Sequence, residues 1–304
     1  MNYDFIYNCD CIEGIDKYVI KGSADLIIAD PPYFRIVNES WDRQWRTESD
    51  YLEWSTRWIK CASNALRIGG SFYLFGYFKM LSKLLPILEN NGFELRQQIV
   101  IDKGIRAVSG RATKNYKMFP NVTESILFLY KDPKPFIKNF LKQRQLEIGI
   151  SAREINELLG VKSNGGGMWS IYTGENICKQ IPTQEIWTKL QKILNFNLQY
   201  DRISQTFNPQ VGFTDVWTDI DFYSEQRIHP TQKPRKLIDR IILASSNQGD
   251  LVIDPFSGSG TVAESCIYLD RKYICFETDN NYYSKSLDRI DSVSNQLKMS
   301  RKLI

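Results

Sequence analysis

The chain has 304 residues, enough for one large α/β domain or for such a domain carrying an insertion. Hydrophobic residues make up 42% and charged residues 24%, the proportions of an ordinary globular protein, and no apolar run approaches the roughly 18 residues that span a bilayer. Net charge is +4, and six cysteines without a CxxC pair beside a single histidine argue against a zinc site; they read as reduced thiols of a cytoplasmic protein, and no metal is expected.

The opening Met1–Phe5 lacks the basic segment and apolar core of a signal peptide. Tyr3 to Tyr7 predicts a short strand, closed by Asn8-Cys9-Asp10-Cys11, with one or two helical turns from Ile12 to Tyr18. Ala24–Ala29 is short and apolar, the pattern of a buried strand, and it runs into Asp30-Pro31-Pro32-Tyr33. Two prolines remove two N–H donors at that strand end and free carbonyls to accept. With the Asp30 carboxylate and the Tyr33 ring they suit a planar base: two acceptors for an exocyclic NH2 and a face for stacking. A plain strand-to-loop turn is the competing reading.

Residues 34–48 show no period, and a loop this long beside a site is usually functional or mobile. Ser49 or Asp50 is expected to cap a helix through Leu66, stopped by Gly69-Gly70, before a strand over Ser71–Gly76. A helix over Met80–Asn90 and a strand over Phe93–Ile101 continue the alternation of a doubly wound, mostly parallel sheet. Val122 to Tyr130 reads as a further strand with Glu124 near its start. Residues 103–145 hold ten Lys or Arg against Glu124 and Asp132, a local +8 on a remainder of −4. Such a stretch is either a polyanion-binding surface or a solvated charged face.

From 136 to 205 the pattern becomes short helices. They are a basic one over Phe136–Glu147, one opened by the capping box Ser151-Ala152-Arg153-Glu154 with Ile155, Leu158 and Leu159 inward, and one after Pro182-Thr183. Gly165-Gly166-Gly167 separates them. The unit resembles a helix-turn-helix, although plain packing modules look alike. The division expected is 1–135, a helical insertion at 136–205, and 206–304.

Residues 206–228 carry little signal. His229-Pro230-Thr231-Gln232-Lys233-Pro234 precedes a helix from Arg235 to Ser245, and residues 251–261 read strand, glycine loop, helix. The third glycine of the dinucleotide fingerprint is absent, since position 263 is Ala, and no Lys follows Gly260 as in a phosphate-binding loop. Glu277 stands 23 residues after Asp254, where such folds hold a ribose diol. The ligand expected is therefore a nucleoside without a demand for pyrophosphate, and S-adenosylmethionine fits.

With these segments in hand, the chain resembles the β group of DNA amino-methyltransferases. In that group a catalytic DPPY comes first, a target recognition domain lies in the middle, and an F-x-G-x-G cofactor loop comes last. The counterparts are Asp30 to Tyr33, the insertion, and Phe256 to Gly260, with His229–Pro234 matching the group's HPTQKP stretch and Asn8–Cys11 its N-terminal cofactor segment. Cys9 stands where glycine is common. The resemblance covers about 1–130 and 225–285 and implies a Rossmann-like methyltransferase fold. It implies sequence-specific methyl transfer from S-adenosylmethionine to the amine of a flipped-out base in double-stranded DNA. Asp30, Pro31, Pro32 and Tyr33 would be catalytic. Asp10, Cys11, Asp30, Lys233, Asp254, Phe256, Ser257, Gly258, Ser259, Gly260, Thr261 and Glu277 would hold the cofactor, with Lys233 on the methionine carboxylate. His229 reads as an orienting or packing residue.

An Asp at the first motif position favours adenine N6 over cytosine N4 in the resembling families. A catalytically silent DNA-binding homologue and an RNA or protein amine methyltransferase are the other readings. The resembling group is often dimeric; a second copy and a cognate restriction endonuclease acting on the same site are partners that the resemblance allows.

Overall fold

A computed structural model describes residues 2–34, 42–108, 117, 119–160, 167–174, 180–225 and 227–301. Calls on the rest, namely residues 35–41 of the 34–48 loop, Arg111 and Lys114 of the basic stretch, Gly165 and Gly166, and Cys178, lie outside the described residues.

Strand β2 (Ala24–Ala29) sits at the centre because all of it except Asp25 is buried. Leu26 and Ile28 face one hydrophobic core while Ile27 and Ala29 face another, the two-residue alternation of a strand covered on both sides. Asp25 is tolerated there because its carboxylate accepts from Arg67 Nε at 2.8 Å and from the Leu251 amide at 2.9 Å. Around β2 the sheet gathers β1 (Phe5–Tyr7), β3 (Leu66–Gly76), β4 (Phe93–Asp102), β5 (Thr123–Lys131), β6 (Val216–Trp217), β7 (Leu251–Asp254) and β8 (Lys272–Phe276). Their spatial order is β1-β8-β7-β2-β3-β5-β4-β6. Only β5 runs against its neighbours β3 and β4; the other pairings are parallel.

One core packs α1 (Cys11–Tyr18), α2 (Glu48–Ala65) and α3 (Phe78–Asn90) on the sheet through Ile15, Trp58, Ile59, Leu84 and Leu88. The other packs α8 (Arg235–Ser245), α9 (Thr261–Tyr268) and α10 (Asn280–Arg301) through Ile238, Ile241, Val262, Cys266 and Ile290. This is a doubly wound α/β sheet with helices on both faces. Two local expectations need correction. Thr47, rather than Ser49 or Asp50, caps α2, with Asp50 returning the bond to the Thr47 amide. Gly69 and Gly70 stand inside β3, which already begins at Leu66, because the pairing with β2 shifts register between Ala24 and Leu26 and absorbs them.

The chain divides into two compact units, Met1–Lys131 with Thr206–Ile304, and Asp132–Gln205. The second has its own core, from Ile137 and Leu141 of α4 (Lys134–Ile148), Ile155 and Leu159 of α5 (Ala152–Leu159), Trp169 of α6 (Gly167–Thr173), and Trp187 and Leu190 of α7 (Gln184–Ile193). The Ser151–Glu154 capping box and the left-handed Gly160 terminus bound α5. Leu158, expected inward, is 62% exposed; buried Asn156 takes that place and accepts from the Trp169 amide at 2.9 Å. The basic stretch is not one open surface. Lys131 donates to the Ser63 and Leu66 carbonyls, Arg144 to Leu194 and Asn195, and Lys103 pairs with Glu124.

Candidate active site

Strands β2 and β7 lie side by side and parallel, with Ile27 opposite Ile253. Their carboxyl ends therefore release Asp30-Pro31-Pro32-Tyr33 and Pro255–Gly260 next to each other, at the edge where doubly wound sheets bind ligands. A cavity of about 500 Å³ opens there, lined among others by Asp10, Cys11, Asp30, Pro31, Pro32, Tyr33, Lys233, Asp254, Phe256, Ser257, Gly258, Ser259, Thr261 and Glu277. Thus all but one of the residues singled out in the sequence share one space.

The exception is Gly260. It caps α9 in the left-handed conformation, φ +76°, and a Cβ there would meet Ser286 Cβ at 3.1 Å. Its work is to turn the chain into the helix, and it is not part of the cavity wall.

The loop before α9 is fixed by the acids around it. The Gly258 amide donates to Glu277 Oε2 at 2.7 Å, and the Asp279 amide donates to Oε1 at 2.8 Å. Glu277 is thus a brace for the glycine loop as well as a cavity acid, and burial raises its pKa. Asp254 accepts from the Phe256 amide at 2.9 Å. Burial first, then the charges of Asp30 and Glu277, push its carboxyl up to about 8, so it is protonated at neutral pH. Phe256 packs at 5.2 Å, nearly perpendicular, on Trp58 and at 5.7 Å on Trp54. Ser257 keeps its hydroxyl buried, with the Cys275 thiol as its neighbour. At the start of α1, Asp10 caps the helix by accepting from the Ile12 amide at 2.8 Å.

Around Asp30 the geometry departs from expectation. Lys233 does not stand open for a ligand carboxylate: its Nζ lies 2.5 Å from Asp30 Oδ2, 3.0 Å from Glu124 Oε1 and 3.0 Å from the Tyr33 hydroxyl. The Tyr33 hydroxyl donates to Asp30 Oδ1 and lies 2.9 Å from Glu124 Oε1. Its ring meets Tyr77 edge-on at 5.4 Å. The Pro32 carbonyl accepts from Tyr51 at 2.8 Å, which anchors the turn. Burial raises the Asp30 pKa against the opposing pull of Lys233. Burial also acts to raise Glu124, but Lys233 and Lys103 outweigh it and hold that carboxyl below its ordinary value. Burial would lower Lys233, and its two carboxylates overcome that and raise it.

His229 is neutral at pH 7, since burial lowers its pKa to about 4. It packs edge-on against Tyr282 at 4.2 Å, a packing and orienting position. Glu124 is the residue that reading the sequence did not assign. Because β5 runs antiparallel to β3, its first residues lie at the carboxyl edge of the sheet, with Ser125 opposite Gly76. The signal was a single acid before an apolar strand, whose direction no local pattern gives. Asp42, Trp54 and Tyr282 also line the cavity and went unassigned.

The family model described as DNA methylase, that of the N6/N4 methyltransferases, matches residues 24–288. The chain belongs to that family. Among its relatives, the type II methyltransferase M.HpaI of Haemophilus parainfluenzae is 27% identical over 288 residues, 92% of this chain and 72% of the relative. The DNA adenine methyltransferase YhdJ of Escherichia coli K12 is 27% identical over 292 residues, 91% of this chain and 80% of the relative. Of solved structures, the M1.HpyAVI–SAM complex superposes with a TM-score of 0.56 at 20% identity, covering 93% of this chain and 98% of that one. The cytosine-N4-specific PvuII DNA methyltransferase superposes at 0.57 and 15% identity, covering 96% and 91%. These two likenesses establish the fold, a Rossmann-like methyltransferase sheet. Within the family's frame, the DPPY turn and the F-x-G-x-G loop of this chain are the two lips of one cavity.

Proposed function

We propose that this DNA methylase transfers a methyl group from S-adenosylmethionine to the exocyclic N6 of adenine in double-stranded DNA, acting on a base turned out of the helix. The observation that carries the reading is the shared cavity of Asp30 and the 256–259 loop. Its volume of about 500 Å³ suits a ligand of nucleoside size. Gly258, at φ +51°, leaves the loop without a side chain beside His229. Asp10, Cys11, Phe256, Ser257, Gly258, Ser259, Thr261 and Glu277 would hold the cofactor, which when bound supplies an electrophilic methyl on a sulfonium.

An amine inside a duplex is out of reach of a buried cavity, so the base must be extruded. Asp30 and the Pro31 carbonyl then accept its two N–H groups. Those bonds orient the nitrogen lone pair, and the Asp30 charge offsets the positive charge that develops on nitrogen. As the new N–C bond forms, the S–CH3 bond of the bound sulfonium would break to leave a neutral thioether, and the surplus proton on nitrogen leaves through the Asp30 carboxylate. The Tyr33 ring supplies a stacking face, a contact worth roughly 1–3 kcal/mol per base. The choice of adenine is supported by the Asp at the first motif position and by relatives such as YhdJ. The 132–205 unit is the part we assign to target recognition.

The test is incubation with unmethylated genomic DNA and S-adenosylmethionine, then mass spectrometry of the digested nucleosides. N6-methyladenine is the expected product. N4-methylcytosine would overturn the base, and no methylated nucleoside would overturn the reaction.

A further inference from the structure

Lys233 shares the cavity wall with Asp30 while Glu124 stands behind it, and their arrangement goes beyond the motif chemistry. Side chains of Lys233 and Glu124 are 7% and 9% exposed, while Asp30, at 20%, is the most open of the three. One ammonium lies between two carboxylates, bonded to an oxygen of each, and the Tyr33 hydroxyl reaches both acids. An Asp30–Lys233 pair alone would be neutral. Glu124 adds a second carboxylate, and Lys103, 3.5 Å from it and partly solvated, balances that charge. The charge that faces a nitrogen beside Asp30 is therefore that of Asp30 itself, and its placement sets what a reaction building positive charge there gains. A buried ammonium deprived of one partner would swing or lose its proton.

We infer that Glu124 and Lys233 are positioning residues for methyl transfer: Glu124 fixes the Lys233 ammonium, and Lys233 holds the Asp30 carboxylate in place and in its charged form. The inference rests on the methyl-transfer reading above. The groups facing Asp30 are Tyr33 of its own turn, Lys233 before α8, Glu124 of β5, Asp254 of β7 and Tyr51 of α2. Burial pushes the Asp30 pKa up, Lys233 opposes this, and the Glu124 charge adds to it. The two positioning residues should therefore move the acid limb of the activity profile in opposite directions.

The experiment measures methyl incorporation into unmethylated genomic DNA across pH, together with calorimetric binding of S-adenosylmethionine, for Lys233→Met and Glu124→Gln. For Lys233→Met we expect kcat to fall about 100-fold, with the acid limb at higher pH. Cofactor Kd should stay within about threefold, whereas a lysine gripping the methionine carboxylate would weaken it far more. For Glu124→Gln we expect about a tenfold fall in kcat and a limb at lower pH. Acid limbs that stay in place in both variants, or a Lys233→Met defect confined to cofactor Kd, overturn the inference. If Lys233→Met does not fold, Tyr33→Phe removes one donor to Asp30, and its limb must move to higher pH; an unmoved limb again overturns it. A wild-type protein that methylates no DNA fails before any variant is compared, which separates the reaction itself from this assignment.

Discussion

In the sheet unit, the charged groups that meet around Lys233 come from residues 30, 124 and 233, on two loops and one strand. In Asp132–Gln205 the polar bonds that shape the fold close within the segment: Ser151 with Glu154, Asn156 with Trp169, and at the longest span Arg144 with Asn195, 51 positions apart. The first region makes buried charge useful by bringing distant residues together. The second closes such bonds within its own segment. Under the assignment proposed above, reaction chemistry and target choice rest on differently built ground, and damage to one should leave the other measurable.

The largest effect expected is on turnover. Asp30→Ala should reduce methyl incorporation by roughly 10²–10⁴-fold in protein that still shows a cooperative melt, lowered by the loss of a buried partner of Lys233. A wild-type rate in a radiolabelled-methyl assay would break the assignment. Trp187→Ala, at a fully buried position of the helical unit, should cost about 3–5 kcal/mol by calorimetry. Cofactor binding at the cavity should stay near wild type, and a matching loss there would erase the contrast between the regions. Asp254 sharpens the comparison through pH. The folded protein keeps its proton up to about pH 8, while the unfolded chain releases it near 3.8. The folded state therefore binds more protons inside that window, and stability falls as pH rises through it. Asp254→Asn should flatten this slope in melts taken from pH 4 to 8. The smallest effect is Ser151→Ala, which removes an N-cap and should cost about 1 kcal/mol without altering kcat.

The parts legible in the sequence were those whose signal is local. Strand Ala24–Ala29 announces itself by its apolar run, and the turn after it by two prolines; the Phe256–Gly260 loop announces itself by its glycines. Their meeting followed from the resemblance and from the rule that doubly wound sheets bind at their carboxyl edge. Glu124 was not legible, because the sense of β5 depends on its partners and not on its own residues. Lys233 read as a cation waiting for a ligand, whereas tertiary packing buries it on two acids. Gly69 and Gly70 read as a stop signal because a glycine pair inside an irregular strand looks the same as one that ends a helix.

The pairing of β2 with β7 has a consequence for how the protein comes to be active. Asp25 and Leu251, joined by a hydrogen bond beside that pairing, are 226 positions apart. The antiparallel trio β3, β5 and β4 can assemble from the first half of the chain, at small cost in loop closure. Asp30 therefore leaves the ribosome well before the 256–259 loop that forms the opposite wall. The nascent chain is thus barred from closing the cavity until that loop has been synthesised.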